Sequence, residues 1–454
     1  MQIFDKTKIR SNLRRNKFLI SPSTTIKLFY FLSFAALAMG VFSILNQKAV
    51  SGTVANNAAA ISAITSSRQV SYSAREVEDR LTGALWSYFA GDALSSPTHW
   101  YYGGERQIIS EYGSKITDYT TPNKRLSGSI LNKSDLDGGG RSKSRTTGST
   151  TTTIIGDIIN HGKEKLWSPN ESNHYHGTLA RGENTLEVSI ARVLMKSIVD
   201  NDGVFVADHF RNAYVRFMTT PGSHNDTYAS TCHRMFFANL IFRQLPPEDC
   251  ADNDRHNVDT IDGLVLPTLV ALTGLRNRSK NDEGGLEQIE KSVAACAAVT
   301  RRSSVLENTS SMWASVVLDA VSNPNDDDFL KTLDTFSMNT IKRPANPRVL
   351  DASTMSACYL SSSLPGLVDM IAKYMPTSDT VNRGDLVWKG LLANANVGGE
   401  NVHRGSIMGC VLGARAGLNQ LPLQLMNGLH PYAELKKEID DFVIAVLPNG
   451  KLKA

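Results

Sequence analysis

Apolar residues recur at three- and four-residue spacing through most of the chain beyond residue 73. This period predicts helices over 74–94, 185–199, 207–218, 227–242, 286–301, 304–322, 352–374, 384–395, 402–417 and 433–446. In the second of these, Leu186, Ile190, Val193, Leu194 and Ile198 fall on one face, the stripe a helix needs to bury against a core. Alternating runs of strand type are scarce. The pattern therefore predicts an all-α fold, one compact multi-helix domain over 73–454 with its polar motifs in the loops.

One segment is apolar on every face. Leu28 to Leu45 reads LFYFLSFAALAMGVFSIL, 18 residues without a charge. As a helix it reaches roughly 27 Å, enough to cross a bilayer. Residues 1–48 carry Lys6, Lys8, Arg10, Arg14, Arg15, Lys17, Lys27 and Lys48 against Asp5, a net of +7, while the 454-residue chain carries only +4. The positive charge precedes the apolar run, so it orients a membrane segment. The expected order is a basic cytosolic tail at 1–27, a transmembrane signal anchor at 28–46 and a flexible stalk at 47–72, with the C-terminal domain lumenal or extracellular. The alternative is a cleaved leader, leaving a secreted or organellar protein. The remainder is net negative, which gives no case for nucleic-acid binding.

Further along, residues 119–153, which include DGGGRSKSRTTGSTTTT, read as a mobile surface insertion. Gly405, Gly409 and Gly413 recur every fourth residue and leave a stripe that another helix can approach closely. Arg404 and Arg415 argue against a membrane dimer motif there. Five cysteines, spread widely and without a CxxC, signal neither a disulfide framework nor a cysteine metal cluster.

The chemistry concentrates in three polar clusters beside apolar helices: GALWSYFAGDALSSPTHWYYGG at 83–104, HYHGTLARGENTLE at 174–187, and NVGGENVHRGSIMGCVLGARAGLNQLP at 396–422. The second and third share Gly-Glu-Asn, at 182–184 and 399–401, where Asn184 and Asn401 are natural N-caps for the helices that follow. A helix start suits a phosphate or another anionic group, and a carboxylate in front of it suits a cation or an activated water. Capping alone is the plain alternative. A fourth polar stretch, TTPGSHNDTYASTCHRMFF at 219–237, reads as a cleft loop through Gly222 to Asp226 ending in an N-cap, with His233 and Arg234 placed to meet a phosphate.

These clusters resemble the motifs of the ADP-ribosylglycohydrolase superfamily, whose members include hydrolases that remove ADP-ribose from proteins and the related J1 crystallins. GDAL at 91–94 followed by Pro97 is similar to the family's first motif, TIDGLVLPTLVAL at 260–272 to its middle helix, and GGEN with its Gly-rich helix and Leu421-Pro422 to its last. The resemblance implies a compact, orthogonal, all-helical domain with two Mg²⁺ ions in a cleft. Carried over position by position, the family's first Glu falls on His99. Its Thr-Asp-Asp falls on Gly182, Glu183 and Asn184, followed by Thr185, and its last ligand group falls on Glu400, Val402 and His403. This chain therefore departs from the pattern, since only Glu183 and Glu400 keep a carboxylate. Mg²⁺ prefers oxygen ligands, whereas His99, Glu183, Glu400 and His403 suit a single Mn²⁺, Zn²⁺ or Fe²⁺.

The expected function is hydrolysis of an N- or O-glycosidic bond at the ribose of an ADP-ribose-like substrate, either a small molecule or an ADP-ribosylated protein. Glu183 and Glu400 would be catalytic, with Asn184, Asn401, His224, Asp226 and Trp100 binding substrate and Asp92 ordering the first loop. Two alternatives stand beside it: a non-catalytic binding or structural member of the same fold, and a hydrolase for another nucleoside or sugar.

Overall fold

The computed structural model describes residues 73–139, 152–255, 257–280, 283–348 and 357–447. Its helices are α1 (Ala74–Ser95), α2 (Gly104–Tyr112), α3 (Leu186–Asp200), α4 (Ala207–Thr219), α5 (Thr231–Ile241), α6 (Val265–Leu272), α7 (Glu283–Thr300), α8 (Ser304–Ser322), α9 (Asp326–Ile341), α10 (Leu360–Tyr374), α11 (Arg383–Val397), α12 (Val402–Ala416), α13 (Leu423–Asn427) and α14 (Tyr432–Val446). Among the described residues β structure is limited to isolated bridges, such as Glu183 with His430, so the domain is all-α. No described helix is long and apolar enough to cross a membrane; the anchor expected at 28–46, its basic tail and the stalk lie outside the described residues.

The centre of the domain is the pair α1 and α12. Every residue of α12 is buried, and so is α1 from Gly83 onward. The pair is antiparallel, with Gly83 opposite Gly413, Ser87 opposite Gly409 and Gly91 opposite Gly405. A Cβ on Gly91 would strike the Gly405 carbonyl, and one on Gly409 would strike the carbonyl of Ser87. The glycine stripe of α12 thus receives a matching small-residue stripe on α1, and two backbones pack without side chains between them. Arg415 and Arg404, which interrupt that stripe in sequence, are bonded inside the fold: Arg415 pairs with Asp326 and donates to the Asn323 carbonyl at 2.6 Å, and Arg404 Nε donates to Asn394 Oδ1 at 2.7 Å.

Helices α8, α10 and α11 pack on α12, while α3, α4, α6 and α14 make a neighbouring layer in which α3 touches the other three. Helix α3 carries its expected face inward, with Leu186, Ile190, Leu194 and Ile198 buried and Val193 half-buried. Of the segment 119–153, residues 119–139 belong to the packed domain: Tyr119, Leu126 and Leu131 are buried, and the Tyr119 hydroxyl donates to the Leu425 carbonyl at 2.6 Å. The low-complexity composition is confined to the later part, of which 140–151 lie outside the described residues.

The antiparallel pairing decides where chemistry sits. It sets the C-terminal end of α1, with the turn to His99 and Trp100, beside the N-terminal end of α12, with Glu400 and His403.

Candidate active site

Beyond α1, Ser96–Thr98 forms a tight turn that ends at His99. The loop before α12 turns through Gly398 and Gly399, at φ of +72° and +61°, a left-handed path that glycine takes without strain. The two loops lock together where the Trp100 N–H donates to the Gly399 carbonyl at 2.8 Å. Thr98, Asn394 and Asn401 tie them further: Asn401 Nδ2 donates to Thr98 Oγ1 at 2.8 Å, and Asn394 Nδ2 donates to the Asn401 carbonyl at 2.7 Å.

This frame brings His99, Glu400 and His403 together, each with a potential ligand atom within 4.8 Å of the others. His99 Nε2 lies 3.3 and 3.4 Å from the two Glu400 oxygens, and His403 Nδ1 bonds to Glu400 Oε1. Trp100 Nε1 donates to Glu400 Oε2 at 2.8 Å. Burial opposes ionisation of Glu400, but His403 and His99 beside it outweigh that and hold its carboxyl well below the usual range. Burial likewise works against protonation of His403, yet the Glu400 carboxylate pushes its pKa up to about 9. For His99 burial wins, and its pKa is pushed down to about 4.

Glu400, His403 and Trp100 form part of the wall of a cleft of about 480 Å³. Tyr175, Tyr228, Tyr102 and Tyr359 make much of the rest. Trp100 stands edge-on to Tyr175 and Tyr228, with ring centres 4.3 and 5.0 Å apart, so the wall is stiff. Asp262 also borders the cleft and is paired with Arg301 by two bonds of 3.0 Å.

The remaining expected residues lie elsewhere. Glu183 is not part of the His99, Glu400 and His403 group. Its carboxylate accepts the Ala180 N–H at 2.7 Å and Asn225 Nδ2 at 3.2 Å, which commits it to the local loop. Asn184 does not cap a helix through its side chain: it donates to the Phe89 carbonyl and to Asp92 Oδ2, at 2.8 and 2.9 Å. Asn401 stands at the start of α12 without a side-chain capping bond and is fully buried. Carboxylates from distant segments take the capping role for α3 instead. Asp92 accepts the Thr185 N–H at 2.8 Å, and Asp226 accepts the Leu186 N–H at 2.8 Å. Asp92 thus does order the polar loops, but those of the second cluster. Asp226 is 1% exposed and is not among the residues lining this cleft, and α5 starts later than its loop suggested, with Ser230 at the N-cap position. His224 is half-buried against Phe217 and also away from the cleft. His233 turns into the core, where Nε2 meets Glu187 Oε1 at 2.8 Å. Arg234 borders the cleft, but its guanidinium is already bonded to the carbonyls of Asp135 and Gly138 and to Thr231.

His176 was not singled out from the sequence. Its Nε2 lies 2.6 Å from His99 Nδ1 and its Nδ1 lies 2.9 Å from Asp226 Oδ1. The doublet His174 and His176 was the available signal, yet nothing local distinguishes it from a solvated loop.

Two comparisons with known proteins bear on this arrangement. The family model described as ADP-ribosylglycohydrolase matches residues 73–451. A solved structure titled "ADP-ribosylglycohydrolase-related protein complex" is similar at 16% identity and a TM-score of 0.47, covering 82% of this chain and 99% of that one. No curated protein matches the sequence. With the family model running through all three polar clusters and the helices that carry them, this chain belongs to the ADP-ribosylglycohydrolase family.

Proposed function

We propose that the chain is a hydrolase that opens an N- or O-glycosidic bond at the ribose of an ADP-ribose-like substrate, free or protein-linked, with Glu400 as the group that activates water. One observation carries the reading: Glu400 is 1% exposed and ionised, yet it borders a cleft, and Trp100 and His403 fix the direction of its oxygens. A buried carboxylate held in one orientation at a cleft wall meets the geometric requirement of a general base, and loosening of its pairing with His403 would supply the basicity. The aromatic wall offers flat apolar surface for a nucleobase, and Asp262, held by Arg301, offers a carboxylate edge for ribose hydroxyls.

The same residues bear on a metal. Two imidazoles and one carboxylate converge with their ligand atoms close together, a donor set that fits Zn²⁺, Mn²⁺ or Fe²⁺ better than the oxygen-seeking Mg²⁺ typical of the family. His99, Glu400 and His403 would hold the ion; bound there, it supplies Lewis acidity and a water of lowered pKa. Glu183 has no part in this proposal, because its carboxylate is bonded to the Ala180 N–H and to Asn225, outside the group of His99, Glu400 and His403.

A second reading is favoured by the thinned set of oxygen ligands, with His99, Val402 and His403 where the family has carboxylates or a hydroxyl: a binding module that holds ADP-ribose without cleaving it. The test takes the full chain with ADP-ribosyl-arginine, ADP-ribosyl-serine and free nucleotide sugars, each with Zn²⁺, Mn²⁺ or Mg²⁺. Turnover that Glu400→Gln abolishes supports the hydrolase. Absence of turnover in every combination, with ADP-ribose quenching Trp100 fluorescence equally in both proteins, supports the module. The apolar run at 28–46 and its basic flank support a membrane-anchored placement of the domain, which protease protection in sealed vesicles tests.

A further inference from the structure

We propose that Asn170 carries an N-linked glycan, on an exposed turn beside the loop that walls the cleft. The inference rests on the membrane-anchored placement proposed above, with the domain lumenal or extracellular, because N-glycosylation takes place on that side of a membrane.

Asn-x-Ser/Thr sequons begin at Asn132, Asn170, Asn225 and Asn308, among others. A sequon alone is common. What separates these four is the state of the two groups the reaction uses, the Asn carboxamide nitrogen and the hydroxyl two residues on. Around Asn170 the chain reverses through Ser168-Pro169-Asn170-Glu171, closed by the Glu171 N–H, which donates to the Ser168 carbonyl at 3.3 Å. Proline stands at the second position, where its fixed φ suits a turn. Asn170 and Ser172 are both exposed. Among the described residues neither the Asn170 carboxamide nor the Ser172 hydroxyl has a hydrogen-bond partner. The root of the turn is fixed, since Trp167 is buried and its Nε1 donates to the Thr227 carbonyl at 3.1 Å. The acceptor thus stands out from a rigid base and gives up no bond on modification.

The other three spend these groups inside the fold. Asn132 Nδ2 donates to the Pro169 carbonyl at 3.3 Å, and its Oδ1 is buried. Asn225 Nδ2 donates to the Thr178 carbonyl at 2.6 Å and to Glu183 at 3.2 Å, while the Thr227 hydroxyl of that sequon lies 2.7 Å from the Thr178 hydroxyl in a residue 1% exposed. In the Asn308 sequon, Ser310 is fully buried on α8. A sugar on Asn132 or Asn225 breaks bonds that the folded chain holds.

The step itself balances with a lipid-linked oligosaccharide diphosphate as donor. A bond forms from Asn170 Nδ2 to the sugar C1, the C1–O bond to the lipid diphosphate breaks, and the carboxamide loses one proton. Asn132, held by the same turn, precedes Lys133, Ser134 and Asp135, which border the cleft, so the glycan stands beside that wall.

The test expresses the full chain in a eukaryotic host and removes glycans with an N-glycosidase in H₂¹⁸O, which leaves ¹⁸O-aspartate wherever a glycan stood. The expected peptide map shows ¹⁸O-aspartate in place of Asn170, with Asn132 and Asn225 unmodified. Asn170→Gln should lose one glycan from the electrophoretic shift and leave the urea midpoint of the deglycosylated protein unchanged. Ser172→Ala, which keeps Asn170 and deletes only the hydroxyl, should lose the same glycan. Protease protection in sealed vesicles reads the placement separately. An unmodified Asn170 in a protected domain overturns the proposal while the placement stands; an unmodified Asn170 in a digested domain overturns the placement and the proposal with it. A glycan on Asn132 or Asn225 also overturns the proposal, because their bonds then fail to separate them from Asn170.

Discussion

Glu400 with His99 and His403, and Glu187 with His233 and Cys232, are two buried groups assembled from nearly the same residue types, each compact enough to surround an ion. They differ in access to the cleft. In the second group both His233 nitrogens are spent, Nε2 on Glu187 at 2.8 Å and Nδ1 on the Tyr214 hydroxyl at 2.7 Å, and the Ser230 hydroxyl donates to the same Glu187 oxygen at 2.7 Å. In the first, His99 Nε2 faces Glu400 across 3.3 Å, and Glu400 and His403 border the cleft. Ligand-type residues at ligand spacing therefore do not make a reactive centre. A route to the group is needed as well, and the second group reads as a polar brace between α3 and α5.

That contrast can be broken in four ways, at three residues. Glu400→Gln should lower turnover by about 10²- to 10⁴-fold, measured at saturating substrate, with only a modest shift of the urea midpoint. Glu187→Ala should do the reverse: unfolding stability falls by about 3–5 kcal/mol, because His233 loses its buried partner, while the Zn²⁺ affinity of the folded fraction is unchanged. If Glu187→Ala leaves the urea midpoint in place, the brace reading fails. Trp100→Phe keeps the ring and deletes the bond to Glu400, a loss of roughly 1.5 kcal/mol or about tenfold in turnover, and no change would show that Glu400 is aimed by His403 alone.

The smallest effect near neutrality is the acid response of the brace. Burial raises the Glu187 pKa, but His233 overrides it and leaves the group well below its ordinary 4.5. A depressed folded pKa contributes stability that is complete above about pH 4.5 and is lost as pH falls through the folded value. Urea midpoints from pH 6 down to pH 3 should fall more steeply for the wild type than for Glu187→Gln; parallel curves would sink the assignment.

Much of the fold was legible. Periodicity located α1, α3, α4, α8, α11, α12 and α14 to within about two residues. Helix α9 was missed because only Phe329, Leu333 and Phe336 mark its buried apolar face behind a first turn of three aspartates. Gly405, Gly409 and Gly413 announced a close helix approach, but their partner stripe of Gly83, Ser87 and Gly91 was visible only once α1 lay against them. Of the site, His99, Trp100, Glu400 and His403 are legible in the sequence, because they stand in the polar clusters that follow α1 and precede α12. Glu183 and the two asparagines were assigned from their position before a helix, and that position says nothing about which way a side chain turns. Asp226 and Asp92, on segments far from α3 in sequence, took the vacant N–H groups that Asn184 was expected to satisfy.

The sequence by itself determined the helical class, the family, and the set of side chains available for chemistry, because these follow from local spacing and residue type. The tertiary structure alone decided which carboxylate borders the cleft and which is enclosed by packing. That depends on desolvation and on the partners each carboxylate meets, and both are set by segments far apart in sequence, 301 residues for Glu400 and His99 and 46 for Glu187 and His233. Glu400 and Glu187 differ little as residues in a sequence; the cleft beside one and the closed packing around the other are what separate them.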